Sequence, residues 1–520
     1  MPYAITSPHY LATDAGASVL ADGGSAIEAM VATAAAIAVA YPHMNSLGGD
    51  GFWLISPAGR KPIAIDATGC AAAEASIDGY RAQGFDNIPE RGGLSALTTA
   101  GAVAGWQAAL DLLPSHRPLA DLLAPALDLA RGGIPVSHSL AAASNKVWTD
   151  LSNEAGYKTI YAPEGRPLNA GETLINQPLA DTLDHLAVSG LADFYQGDIG
   201  QTLARSLELA GSPLRRRDLQ HYKVRQPQAL TTQTRDGDLF NFPAPTQGLA
   251  SLMILALFDR VRDQAKSEAD RVHLLIECTK LAFRARDRLV CDPDHVTADY
   301  HRQLDDTHLD ALATQIRLNR AQPWPHPAEP GDTVWFGCVD ADGTMVSYIQ
   351  SLYWEFGSGV VCPQTGIAWT NRGLSFKLDD NHPNRLRPGA RPFTTLNPAY
   401  ASLGNGDRIA YGTMGGEGQP QTQAALMMRH LVEGQSLQDS IAAGRWLLGR
   451  TWGDTSNNLK LEADLANRIA ADLQARGHDL VSVPEHSEMM GHAGAIRRTA
   501  DGRLEAATDP RSDGRAVVQN

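Results

Sequence analysis

This chain is short of several things that would otherwise decide its class. Its 520 residues contain only five cysteines, Cys70, Cys278, Cys291, Cys338 and Cys362. They form no CxxC pair and their count is odd, which suits free thiols in a reducing compartment rather than a disulfide framework. Positive charge is also scarce: 44 Lys and Arg stand against 58 Asp and Glu, a formal net charge of -14. With no Lys/Arg run to offset that repulsion, nucleic acid is not an expected partner. The longest apolar run, "AMVATAAAIAVAYP", is Ala-rich and falls short of the roughly 20 residues that a membrane span requires. The opening "MPYAITSPHYLATDAG" shows neither a basic segment nor an apolar one, so no secretory signal is visible and a cytoplasmic location is expected. What remains, 43% hydrophobic and 20% charged residues, is the composition of an ordinary globular protein. The length fits two or three average domains or one large enzyme domain.

Residues 10 to 42 read as two helices. The first ends in the glycine pair of "LADGG", and Ser25 with Glu28 forms a capping box for the second, whose Ala, Met, Val and Ile cover every face and predict burial all round. "NSLGGDGFWLIS" then predicts a glycine-rich turn entering a strand, with "RKPIAIDAT" returning beside it. No dinucleotide fingerprint fits the turn, and tight backbone geometry is its simpler role. Helical patterns dominate from about 100 to 290, with polar loops such as "FPAPTQG" between them. Residues 313 to 332 bring prolines at 323, 325, 327 and 330, the composition of an exposed linker. Strand patterns follow in "TVWFGCVDADGTMVSYIQSL", "SGVVCPQTGIAWTN", "TLNPAYASL" and "DRIAYGTM", and helices return in "PQTQAALMMRHLVEG" and "LEADLANRIAADLQARG". Strands and helices segregate in blocks, which predicts an α+β fold rather than a doubly wound sheet.

The hairpin after the linker carries the functional argument. If its loop is Ala341, Asp342 and Gly343, with the glycine left-handed, Asp340 pairs with Thr344 and Thr333 faces Ser351; a two-residue loop would shift this by one. Two hydroxyls then meet at the open end. A hydroxyl needs a base to become a nucleophile, and the chain has no GxSxG motif to supply a serine triad. The α-amine of Thr333, freed by cutting the Asp332–Thr333 bond, could serve, since such amines titrate near 7.7 to 8.0. A plain strand-opening threonine is the competing reading.

"DTVWFGCVDADGTMVSYIQSLYWEFGSGVV" resembles the start of the small subunit in the γ-glutamyltransferase family of N-terminal nucleophile (Ntn) hydrolases. "AGASVLADGGSAIEAMVATAAAIAVAYPHMNSLGGDGFWLI", "AVAGW", "ADFYQGDIGQTLA", "LVCDPDHV" and "TDPRSDG" resemble further family segments in the same order, so the likeness spans nearly the whole chain. It implies a four-layer αββα sandwich with a large helical elaboration. It also implies a precursor that cuts itself into a large segment, 1–332, and a small one, 333–520, which stay intertwined in one domain. By the same resemblance Thr333 is the nucleophile, Ser351 its hydroxyl partner, and Gly415 and Gly416 of "YGTMGGEGQPQ" the oxyanion-hole amides. The helix following those glycines would place its dipole behind a developing negative charge. Thr394 and Thr395, in "RPFTTLNP", stand where the family's paired serines line the pocket.

The departures bear on substrate. Where the family holds a glutamyl α-carboxylate with Arg, this chain has Ile77, and the positions that grip the α-amino group are Tyr353, Arg372 and Ser375. An amino acid zwitterion is poorly served. Arg372 offers a guanidinium fork for a small carboxylate, and the bulky Tyr353, Trp354 and Glu355 would shrink the pocket. "SLYWEFGSG" followed by "NRGLSF" looks most like the oxamate-hydrolysing subgroup, associated with purine and ureide breakdown. The implied reaction takes oxamate and water to oxalate and ammonia, with no cofactor and no metal. The partners implied are a small acid amide and the two fragments themselves, with a dimer of heterodimers as one assembly left open. A γ-glutamyltransferase, glutathione hydrolase or β-lactam side-chain acylase is the nearest alternative, and an uncleaved, non-catalytic binding protein the alternative of another class. "CDPDHVTADYH" offers Cys, Asp and His, but without standard metal-ligand spacing.

Overall fold

The computed structural model describes residues 1–113, 116–324, 332–449 and 457–520. Twelve strands frame the site: β1 (Tyr3–Ser7), β2 (Asp50–Ser56), β3 (Ile63–Ala67), β4 (Leu230–Thr234), β5 (Gly237–Asn241), β6 (Asp332–Val339), β7 (Met345–Tyr353), β8 (Ala399–Leu403), β9 (Arg408–Thr413), β10 (Ala493–Arg498), β11 (Leu504–Thr508) and β12 (Arg515–Gln519). They form two six-stranded sheets, in the orders β12-β1-β6-β7-β2-β3 and β11-β10-β9-β8-β5-β4. Every pairing within them is antiparallel. Both sheets combine strands from before and after residue 332, and in the first sheet they interleave.

The sheets meet face to face across Trp335 of β6. A Cβ added at Gly412 in β9 or Gly494 in β10 would lie 2.2 or 2.4 Å from the Trp335 ring, so the indole occupies the space that two missing side chains leave. Its Nε1 donates to Ser347 Oγ at 2.9 Å. Helices cover the outer faces. On the first sheet lie α1 (Tyr10–Ala21) and α2 (Ala26–Ala40); on the second lie α3 (Gly248–Val261) and α5 (Gln419–Met427), with α4 (Glu268–Leu289) packed on both of these helices. The result is the α+β helix–sheet–sheet–helix sandwich that the block pattern and the family likeness implied. Glu28 closes the expected capping box, donated to by Ser25 N at 2.7 Å, and all fifteen residues of α2 are buried.

Three expectations need adjustment. The helical stretch before residue 290 is interrupted by the β4–β5 hairpin of "LTTQTRDGDLFN", whose turn is Arg235–Asp236 with Thr234 paired to Gly237. "SGVVCPQTGIAWTN" yields only the two-residue strands Val361–Cys362 and Ile367–Ala368, joined by a turn that ends at the left-handed Gly366, with a second left-handed glycine, Gly359, just before the first strand. "LEADLANRIAADLQARG" opens as strand Leu459–Glu462 and becomes helical at Ala463. The proline-rich linker lies partly outside the described residues, from 325 to 331. No helix among the described residues is long and apolar enough to cross a membrane.

Candidate active site

The β6–β7 hairpin has the three-residue loop and register expected of it. Asp340 N donates to Thr344 O at 3.1 Å, Gly343 has φ +79°, and Val334 faces Gln350. At the open end the register slips between Asp332 and Val334, beyond the last regular pair. Thr333 Oγ1 donates to Ser351 Oγ at 3.2 Å, and both residues are fully buried. Tyr353 N also donates to Ser351 Oγ, at 2.8 Å.

Arg372 completes this group. It sits in the short 3-10 turn Arg372–Ser375, fully buried, with Nη2 donating to Ser351 Oγ at 3.3 Å. Its Nε donates to Asp50 Oδ2 at 3.0 Å, and its Nη1 is buried with no hydrogen-bond partner. The guanidinium carbon lies 4.2 Å from the Tyr353 ring centre. Tyr353 has φ +83°, a left-handed conformation that a bulky residue adopts at a cost of roughly 1–3 kcal/mol and that clusters at functional sites. Asp50 is the residue that sequence reasoning missed. Its signal was a charge opening a strand, "DGFWLIS", that is buried throughout. Burial pushes the Asp50 carboxyl up, while Arg372 and the Gly69 amide pull it back. The glycines before it serve close approach, as expected: a Cβ on Gly48 or Gly49 would lie 2.1 Å from Ala368 O or 2.2 Å from Ser351 O.

The second half of the site lies at the end of β9. Because Trp335, two residues into β6 from Thr333, packs on Gly412, the turn after β9 comes to the same end of the sandwich as the hairpin mouth. Gly415 and Gly416 have φ of +113° and +53°, and a 3-10 turn Gly416–Gly418 runs straight into α5. Among the described residues neither glycine amide meets a backbone carbonyl acceptor, so the turn presents donors at a helix N-terminus. Thr394 and Thr395 are tied to it by another residue that the sequence did not single out, Gln247. Its Nε2 donates at 2.8 Å to both Thr395 O and Gly416 O, and its Oε1 accepts from Arg286 Nη1 at 3.0 Å. Arg286 also pairs with Glu417 at 3.0 Å. Thr395 Oγ1 is buried without a partner.

Gly415 forms part of the wall of a cavity of about 220 Å³ with His43, Ser139, Lys146, Glu355 and Glu488. Lys146 Nζ holds Glu355 Oε1 at 3.0 Å, while Trp354 lies under Arg91. Ile77 is a buried residue of the short helix Ile77–Ala82, and Ser375 Oγ is buried without a partner. Asp292 of "CDPDHV" accepts from Asp294 N and Arg391 N. Among the described residues His273, Glu277 and His478 are close enough to share a metal ion, but Lys280 already pairs with Glu277 at 2.6 Å and the two imidazoles bond each other at 2.8 Å.

A family model described as Gamma-glutamyltranspeptidase matches residues 12–519. The chain belongs to that family. Within the γ-glutamyltranspeptidase family it is 48% identical over 515 residues to the oxamate amidohydrolase proenzyme of Klebsiella pneumoniae, covering 98% of this chain and 97% of that one. It is 36% identical to the glutathione hydrolase-like YwrD proenzyme of Bacillus subtilis, over 99% of this chain and 98% of that one. Among solved structures, the cephalosporin acylase of Bacillus halodurans superposes with a TM-score of 0.91 at 31% identity, covering 100% of this chain and 96% of that one.

Proposed function

We propose that this γ-glutamyltranspeptidase family member is a self-processing amidohydrolase that converts oxamate and water to oxalate and ammonia, with Thr333 as its N-terminal nucleophile. The observation that carries the reading is the buried group formed by Thr333, Ser351 and Arg372, in which one guanidinium nitrogen has no partner. An unsatisfied buried donor of a permanently charged group is a place for a ligand's anion.

In maturation, Thr333 Oγ adds to the Asp332 carbonyl, the Asp332–Thr333 C–N bond breaks, and the ester so formed is hydrolysed by water. Thr333 is left with a free α-amine. In turnover that amine takes the Oγ proton as Oγ attacks the substrate amide carbon. The oxyanion is met by the Gly415 and Gly416 amides. The C–N bond then breaks, the amine returns the proton to departing ammonia, and a second attack, by water, releases oxalate and restores the threonine. Ser351 orients the hydroxyl. Arg372 takes the substrate carboxylate, Tyr353 backs Arg372, and Thr394 with Thr395 lines the pocket. Ile77, where a glutamyl substrate would need a cation, supports a small acid over a γ-glutamyl one. The five free cysteines support a cytoplasmic setting, and purine or ureide breakdown is the context in which oxamate would arise.

The test is direct. Purified wild type should run as two fragments on a denaturing gel, the smaller beginning TVWFG, and Thr333→Ala should stay whole and inactive. Ammonia release from oxamate should exceed p-nitroaniline release from γ-glutamyl-p-nitroanilide. Glutamyl turnover with oxamate inert would overturn the substrate assignment, and one uncut wild-type band would overturn the mechanism.

A further inference from the structure

We infer that Asp50 is a positioning residue for this reaction: it holds Arg372 so that the end of the guanidinium, not its side, faces the substrate's carboxylate. The inference rests on the Thr333 amidohydrolase reading and specifies how the acid is recognised. Asp50 opens β2 directly opposite Ser351, and neither residue is exposed. Both of its oxygens are committed, Oδ1 to Gly69 N at 2.8 Å and Oδ2 to Arg372 Nε at 3.0 Å. A guanidinium has two edges that can grip a carboxylate with paired N–H groups, one including Nε and one made of Nη1 and Nη2. Asp50 occupies the first. On the second, Nη2 leans on Ser351 and Nη1 is unpartnered. The Tyr353 ring, 4.2 Å from the guanidinium carbon, fixes the plane in which that edge lies.

Charge alone would not need this arrangement, because Asp50 cancels the charge of Arg372. Direction does need it. Without Asp50 the long side chain could rotate Nε and Nη2 toward Thr333 and Ser351, and a bound acid would bring its amide carbon to a different place. Gly48 and Gly49 let the chain deliver the carboxylate there, since neither position has room for a side chain.

Asp50→Asn keeps the size but offers one acceptor oxygen to two donors, Gly69 N–H and Arg372 Nε–H. The readout compares oxamate with oxamide, which has the same scissile bond and no carboxylate. The expected result is a fall of about tenfold or more in kcat/KM for oxamate, carried by kcat as well as KM, and at least about tenfold greater than the loss for oxamide. Equal loss on both substrates, or no loss on either, overturns the inference. If the single variant misfolds around an unpaired arginine, Asp50→Asn combined with Arg372→Met removes both charges. A residue acting through Arg372 should then cost nothing beyond Arg372→Met alone, and a further loss of oxamate selectivity overturns the inference. A mature wild type that leaves oxamate untouched refutes the substrate reading instead. In that case oxalate affinity by calorimetry decides the Asp50 inference in the same variants: weakened binding in Asp50→Asn but not beyond Arg372→Met upholds it, and unchanged binding ends it.

Discussion

Replacing Gln247 by leucine should damage stability and activity together. Gln247 is fully buried and joins two loops that share no secondary structure, giving Nε2 protons to Thr395 O and Gly416 O and its oxygen to Arg286. Leucine fills nearly the same volume, so cavity formation is a minor term, and the loss comes from three hydrogen bonds whose partners stay buried. At about 1 kcal/mol for each bond, and more for the one to the charged Arg286, the expected destabilisation is about 3–5 kcal/mol. The catalytic consequence is separable. Under the proposed mechanism Gly416, free of its tether, would be a displaced oxyanion donor, a change associated with a loss of about 10²–10³ in kcat. Gln247→Glu supplies the control: its carboxylate can pair with Arg286 but has no proton for either carbonyl. It should therefore recover at most the Arg286 share of the stability, read from urea unfolding of the mature protein, and little of the rate, read from ammonia release. If Gln247→Glu restores the rate, or Gln247→Leu retains it, the tether does not set the geometry of the glycine turn.

Two further outcomes follow from buried charge. Asp509 accepts from Arg445 Nη2 at 2.5 Å and Arg511 Nη1 at 3.1 Å. Burial pushes its carboxyl up, yet the two guanidiniums hold it below the usual range; Asp509→Asn should lower unfolding stability by about 3–5 kcal/mol, because the cations lose a buried counter-charge. Burial also pushes His9 and His492 down to about 4, and pushes His43 well below its usual range. The unfolded chain takes up protons near 6.5 that the folded chain refuses until about 4, so stability present above pH 6.5 is lost as pH falls through that window. The slope is up to about 1.4 kcal/mol per pH unit for each histidine. A thermal midpoint flat between pH 6.5 and 4.5 would contradict this.

What the sequence made legible were local and periodic features. The pairing of Thr333 with Ser351 follows from a two-residue period counted outward from "DADG", and the burial of α2 follows from the absence of a polar face. The bulge at Thr333 leaves that count intact because it falls beyond the last regular pair, Val334 with Gln350. The roles given to Gly415, Gly416, Thr394 and Thr395 came from family likeness, since a glycine turn and a threonine pair carry no signal of their own. The contacts that hold the site were not legible. Asp50 lies 322 residues from Arg372, and Gln247 lies 148 and 169 residues from the carbonyls it ties. No period or cap links such positions, and each reads in sequence as one polar residue among glycines or in a loop. Arg372 shows the limit most clearly: the residue type announces a fork, but only the fold reveals that Asp50 already holds one side of it.

The topology bears on how a cut before Thr333 could leave a working enzyme. β6 lies inside its sheet, hydrogen-bonded to β1 from the large segment and to β7 from its own hairpin. A chain end created at Thr333 would belong to a strand paired with β7 from Val334 onward and with β1 at residues 337–339, with Trp335 locked between the sheets two residues later. Conformational freedom gained by the proposed cut would fall mainly to the chain end before it and not to Thr333. The new α-amine would emerge beside Ser351, where burial favours its neutral form, the form a general base requires. The fold thus fixes both groups before the bond is broken, which is the order a self-processing precursor needs.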